Sequence, residues 1–189
     1  MIVSTLLAAL VLAPQGGLAC PVMGSPANDK SGAVDYAGVR YTFCCAGCDQ
    51  TFAKEPAKYL KSEKVKAKTL GVSLFDPVNG RRVDAKTAKG GSADFNGVRY
   101  HFISQENRVA FEGEPKKYTQ VPAKESLTCP VMGSTVASYA VAPAYADHEG
   151  VRYYLCCDGC IAPFEKDPAQ FAKNASGKAT APKAQKVKQ

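Results

Sequence analysis

The chain has 189 residues, with 24 Lys and Arg against 17 Asp and Glu, two His, eight Cys and no Trp. That length suits one ordinary domain or several very small ones, and an aromatic content of 9% without Trp argues against one large aromatic core. The net charge of +7 is uneven, because five Lys and no acid fall in residues 173–189. The basic balance therefore reports a solvated Lys/Ala tail, expected to be disordered. No face interleaves Arg with aromatics as a nucleic-acid surface would.

The first segment reads MIVSTLLAALVLAPQGGLA. Its apolar part, residues 1–13, has signal-peptide length and is too short to span a bilayer as a helix. Gly17 and Ala19 are small, as a cleavage site needs, although no Lys or Arg precedes the apolar run. Residues 1–19 are read as a signal peptide. The expectation is an exported protein, periplasmic or secreted, with no transmembrane span in its mature form. Leu18-Ala19-Cys20 faintly matches a lipid-attachment signal, but Gly17 stands where a large aliphatic is wanted, so lipid anchoring at Cys20 is the weaker reading.

Beyond the leader, one pattern occurs three times. CysProValMetGly at 20–24 returns at 129–133, and 76–80 reads AspProValAsnGly. GlyValArgTyr follows at 38–41, 97–100 and 150–153, and then come FCCAGC (43–48), FISQEN (102–107) and LCCDGC (155–160). Phe52, Phe111 and Phe164 come next, then Pro56, Pro115 and Pro168, then Tyr59, Tyr118 and Phe171. The repeats are placed at 20–60, 74–118 and 129–172, with exposed linkers between them at 61–73 and 119–128 and the basic tail at 173–189.

Each unit is expected to be α+β. β-formers flank Ala37-Gly38, Asn96-Gly97 and Glu149-Gly150, which predicts a hairpin in every unit. A short helix should follow, and the prolines suit the first turn of another.

All eight Cys fall in units one and three: Cys20, Cys44, Cys45 and Cys48, then Cys129, Cys156, Cys157 and Cys160. One comes from an early loop and three from a strand-to-helix junction. A Cys-x-x-Cys at a helix start aims two sulfurs at one point, and the helix N-terminus favours thiolate. A third sulfur from the loop closes a tetrahedral or trigonal site for a soft ion, zinc or copper(I), about one per Cys-containing unit. Met23 and Met132 are auxiliary ligands for copper(I) or buried gap-fillers. Structural disulfides are the first rival, yet the adjacent pairs Cys44-Cys45 and Cys156-Cys157 would bridge only with strain. Thiol–disulfide exchange through CAGC and CDGC is the second. A bound ion would also help units of this size to fold, contributing on the order of 10 kcal/mol as structural zinc does.

Unit two has lost all four Cys together, with Asp76, Ile103, Ser104 and Asn107 in their places and Ile103 expected to fill the gap with hydrocarbon. It should then lean on its neighbours. His101 and His148 do not align with each other, and His148 falls at a hairpin position. No Ser/His/Asp set, recurrent carboxylate pair or phosphate loop is present, so the chain reads as a non-enzyme.

The turn, the G-x-x-Y-x-F-C-C-x-x-C run and the F-x-x-x-P-x-x-Y ending together resemble the YHS domain, grouped with the TRASH-type heavy-metal modules. Unit two keeps Tyr100, His101 and Ser104 in YHFIS. The resemblance implies small treble-clef-like modules binding soft metals through Cys20, Cys44 and Cys48, and through Cys129, Cys156 and Cys160. Cys45 and Cys157 are additional candidates. Many relatives carry their first Cys where this chain has Met23 and Met132. The implied use is metal buffering, delivery or sensing, with a metal transporter or metalloprotein client as partner. The alternatives are a thiol–disulfide redox protein, or a partner-binding repeat protein held by metal or disulfides.

Overall fold

In the computed structural model, residues 16–187 are described. Of the expected signal peptide, residues 1–19, residues 1–15 lie outside them. The chain reverses at three places where two successive residues adopt positive φ: Ala37 (52°) and Gly38 (77°), Asn96 (48°) and Gly97 (77°), Glu149 (48°) and Gly150 (74°). Two left-handed residues in a row match the twist of the flanking strands, so each turn closes a hairpin. The hairpins are β1 (Asn28–Tyr36) with β2 (Val39–Phe43), β4 (Ser92–Phe95) with β5 (Val98–His101), and β7 (Ala144–His148) with β8 (Val151–Leu155).

A short helix follows each hairpin: α1 (Cys48–Lys54), α3 (Gln105–Gly113) and α5 (Ile161–Lys166). Pro56, Pro115 and Pro168 then open α2 (Pro56–Leu60), α4 (Pro115–Tyr118) and α6 (Pro168–Ala172). The missing proline N–H costs nothing at a first helical turn. The helix presents Phe52, Phe111 or Phe164 to the hairpin. The ring of Tyr41 lies 5.0 Å from that of Phe52, Tyr100 5.2 Å from Phe111, and Tyr153 5.6 Å from Phe164. The class is α+β, small sheets carrying short helices, as expected.

The connectors are exposed linkers only in their first parts, and the later part of each forms a strand. Gly71–Ser73 forms β3, which lies between β5 (parallel) and β2 (antiparallel) near the middle of a six-stranded sheet ordered β4-β5-β3-β2-β1-β9. Gly71 is needed there, since an added Cβ would come within 2.7 Å of Val39 and 2.9 Å of the Arg40 carbonyl. Lys124–Ser126 forms β6, parallel to β8 in a three-stranded sheet ordered β6-β8-β7. Strands of three residues are too short for alternation to show in sequence.

The tail is likewise not a disordered appendage. Thr180 and Glu125 exchange backbone hydrogen bonds of 2.8 and 2.9 Å, and Gln185–Lys186 (β9) pairs with Val34–Asp35 on the outer edge of β1. Tyr139 donates its backbone N–H to Gln185 Oε1 (3.2 Å) and its hydroxyl to the Lys183 carbonyl (3.1 Å) and the Glu125 carboxylate. Residues 176–187 thus strap the third unit to the first. Edge pairing is made by backbone, which explains why a Lys/Ala composition gave no sign of it.

Three apolar clusters form the core. That of the middle unit is small, five buried residues including Phe102 and Phe111. Leu74 and Phe75, which lead into the middle unit, pack instead in the core of the third, where Phe75 meets Tyr145 edge-on at 5.3 Å and Tyr154 at 5.8 Å. Among the described residues no helix is long and apolar enough to cross a membrane.

Candidate metal centre

The five-residue motif that opens each unit folds into one tight turn. Gly24 N–H donates to the Cys20 carbonyl and Cys20 N–H to the Ser25 carbonyl, both at 2.8 Å. The pairs Gly133–Cys129 and Cys129–Ser134 repeat this at 2.8 Å. Inside the turn the cysteine sulfur is buried but not bare. Burial opposes charge on Cys20, yet the backbone N–H groups of Met23, Cys44 and Val22 aim at its sulfur and together hold its thiol below the ordinary value. Burial likewise opposes charge on Cys129, and the N–H groups of Met132, Cys156 and Val131 lower it.

Opposite the turn, the second hairpin strand ends and the helix begins. There Cys44 and Cys48 approach Cys20, and Cys156 and Cys160 approach Cys129, with the three sulfurs of each group within 4.8 Å of one another. The inner two cysteines of each group are buried and the third half-buried. Sulfurs sharing a tetrahedral ion at 2.3 Å are about 3.8 Å apart, and the Cys156–Cys160 separation is 3.7 Å. Three converging sulfurs, one with its thiol lowered, fit a soft ion and would fit a hard one poorly.

Contrary to expectation, the helix start does not lower the thiols that line the cradle. Burial and the neighbouring sulfurs push Cys44 up to about 11 and Cys156 up to about 11, and they push Cys48 and Cys160 further still. Within each cradle the thiol that ionises most readily is the one on the loop. The others must give up protons as an ion enters.

Cys45 and Cys157 stand outside both three-sulfur groups, on the surface. Their sulfurs are nonetheless close to the inner helix cysteine, 2.7 Å for Cys45–Cys48 and 3.1 Å for Cys157–Cys160. A hydrogen bond with Cys160 leads the causes that lower the Cys157 thiol. No cysteine is in a disulfide. Met23 and Met132 are 54% and 64% exposed, so neither is a buried gap-filler. Their backbone N–H groups serve the site.

The cysteine-free unit keeps the same wiring in other atoms. Asp76, fully buried at the position of Cys20, accepts from Val78 N–H (3.0 Å), Ile103 N–H (2.8 Å) and Asn107 Nδ2 (2.7 Å). Val78, Ile103 and Asn107 correspond to Val22, Cys44 and Cys48. A hydrogen-bond network takes the place of the sulfur group, and the Ile103 side chain, only partly buried, is not the plug it was expected to be. Ser104, at the position of Cys45, caps α3 by accepting from Asn107 N–H (3.3 Å). His101 is buried at the end of β5, where burial and then Arg99 lower its pKa, and His148 lies on β7; neither joins a sulfur group.

One recurring pair went unread in the sequence. Arg40, Arg99 and Arg152 each clamp the Asp five residues earlier across the hairpin turn. The Nε–Oδ1 distance is 2.8 Å in all three, and the second contact is 2.9, 2.9 and 2.8 Å to Asp35, Asp94 and Asp147. The signal was there, as Asp-x-x-Gly-Val-Arg in every unit.

A three-sulfur cradle on a hairpin-and-helix scaffold has the donor set to hold a metal ion. Residues 19–63, which contain the first such cradle, match the YHS domain family, and that family is heavy-metal-associated. Nothing among the curated proteins or the solved structures matches the chain significantly.

Proposed function

We propose that this chain is an exported soft-metal-binding protein, not an enzyme, that buffers, delivers or senses copper or zinc at two sites. The observation that carries this reading is the pair of matching sulfur groups, each with a loop cysteine whose sulfur faces backbone N–H donors. The three segments are taken as copies of one module related to the YHS and TRASH types, the middle copy having exchanged ion binding for the Asp76 network. Cys20 is a ligand rather than a lipid anchor in this reading, since it is fully buried in the cradle. A metal transporter or a metalloprotein is the natural partner.

Native mass spectrometry of the anaerobically purified protein tests it. The expected result is two copper or zinc ions, with all thiols free after chelation. Absence of ions together with missing thiols would overturn it. Thiol–disulfide exchange is the second reading, favoured by the short Cys45–Cys48 contact. It predicts a reversible two-electron potential that survives metal removal.

A further inference from the structure

The three-sulfur groups leave one thiol in each cluster without a resident role. Cys20 and Cys48 are buried and Cys44 is half-buried, so Cys45 is the most exposed sulfur of the cluster and the first an acceptor meets. Cys45 is exposed yet touches Cys48, and Cys157 is exposed yet touches Cys160. Sulfurs bound to one ion stay about 3.8 Å apart, and both contacts are shorter. Each exposed thiol can therefore stand in for its inner neighbour, but the two do not bind together without moving apart. The rim beside Cys45 is open, since a side chain at Gly47 would meet no atom within 4 Å. The middle unit has Ser104 at this position and no cradle beneath it.

We infer that Cys45 and Cys157 are exchange ligands, the surface thiols through which a bound soft ion is passed to a thiol-bearing acceptor. The inference rests on the metal-binding reading above. In the exchange a metal–sulfur bond to Cys45 forms as the bond to Cys48 breaks, and the proton leaving Cys45 goes to Cys48. An acceptor thiol then bonds to the exposed ion and displaces Cys45, its proton passing to the departing sulfur. No electrons are transferred. The buried groups set how tightly the ion is held, and the exposed thiols set how fast it leaves.

The test loads the full chain with cadmium(II), whose bonds to thiolate give an ultraviolet charge-transfer band, and follows transfer to a small dithiol. Cys45→Ser with Cys157→Ser should slow transfer roughly tenfold or more while changing equilibrium affinity less than about threefold. Unchanged transfer would overturn the inference. So would an affinity loss equal to the rate loss, because the two thiols would then be resident ligands. Absence of any charge-transfer band in the unaltered protein would instead sink the metal-binding reading itself. Alkylation gives a second readout. Cys45 and Cys157 should react first in the ion-free protein and remain reactive in the loaded one, and protection equal to that of Cys20 would contradict the assignment.

Discussion

Asn107 Nδ2 donates to Asp76 Oδ2 at 2.7 Å, joining the positions that Cys20 and Cys48 occupy in the first unit. The same two points of the module, turn and helix start, are tied together in all three units, by sulfur in two and by a hydrogen bond in the third. Asp76→Ala would leave three donors without their acceptor and should cost roughly 3 kcal/mol, read from denaturant unfolding. The reverse change is more telling. Asp76→Cys, Ile103→Cys and Asn107→Cys together should create a third sulfur cradle, and metal analysis should then count three ions where the unaltered chain has two.

Acid and alkali should act on opposite forms of the protein. Protons compete with the ion for thiolate, so the loaded form should lose its ion and its added stability as pH falls. In the ion-free form Cys44 and Cys156 are pushed from the ordinary 9.0 up to about 11. Between those values the folded state holds more protons than the unfolded one. Their contribution is therefore complete below pH 9 and is lost as pH rises through 11. Thermal melts of both forms across pH should diverge in this way.

The three hairpin clamps should not be equal. Arg152 is buried and lies 3.8 Å from the centre of the Tyr145 ring, whereas Arg40 is the most exposed of the three. Lysine keeps the charge but not the two-pronged geometry or the stacking. Arg152→Lys should cost the more, roughly 2–3 kcal/mol, since it loses the Tyr145 stacking as well as the second contact, and Arg40→Lys roughly 1–2 kcal/mol, since the buried Asp35 loses one of its two contacts. Denaturation midpoints compare them directly.

Hairpins, helix starts, proline positions and the grouping of cysteines were all legible, because each rests on a local rule: a two-residue turn, a first helical turn, a ligand spacing. What was not legible depended on backbone or on distance. β3 and β6 are three residues long and carry no period. The Lys183–Val187 stretch attaches through edge hydrogen bonds that any residue but proline can make. The ionisation order of the cysteines also escaped, since it is set by N–H donors converging on Cys20 from both the turn and the strand end. The Asp76 network is a three-dimensional substitution, and its members lie far apart in sequence.

The folded module begins before its first cysteine. Ala19 N–H donates to the Thr69 carbonyl, and the Leu18 carbonyl accepts from Ala27 N–H, both at 2.8 Å. A leader cut after Ala19 would remove the Leu18 bond and leave Cys20 at a chain end inside the cradle. The processed chain should therefore retain Leu18 and Ala19. Intact-mass measurement of the protein purified from its expressing cells and from their surroundings checks this, and a chain starting at Cys20 would contradict it.

The strap from Thr180 to Val187 also sets an order of events. Among the described residues, the outer edge of β1 is paired by β9, about 150 residues further along the chain. A nascent chain therefore displays an open strand edge on β1 until residues 185–186 have been made. The first module can form its hairpin early, but that edge is sealed only after the third module has been made.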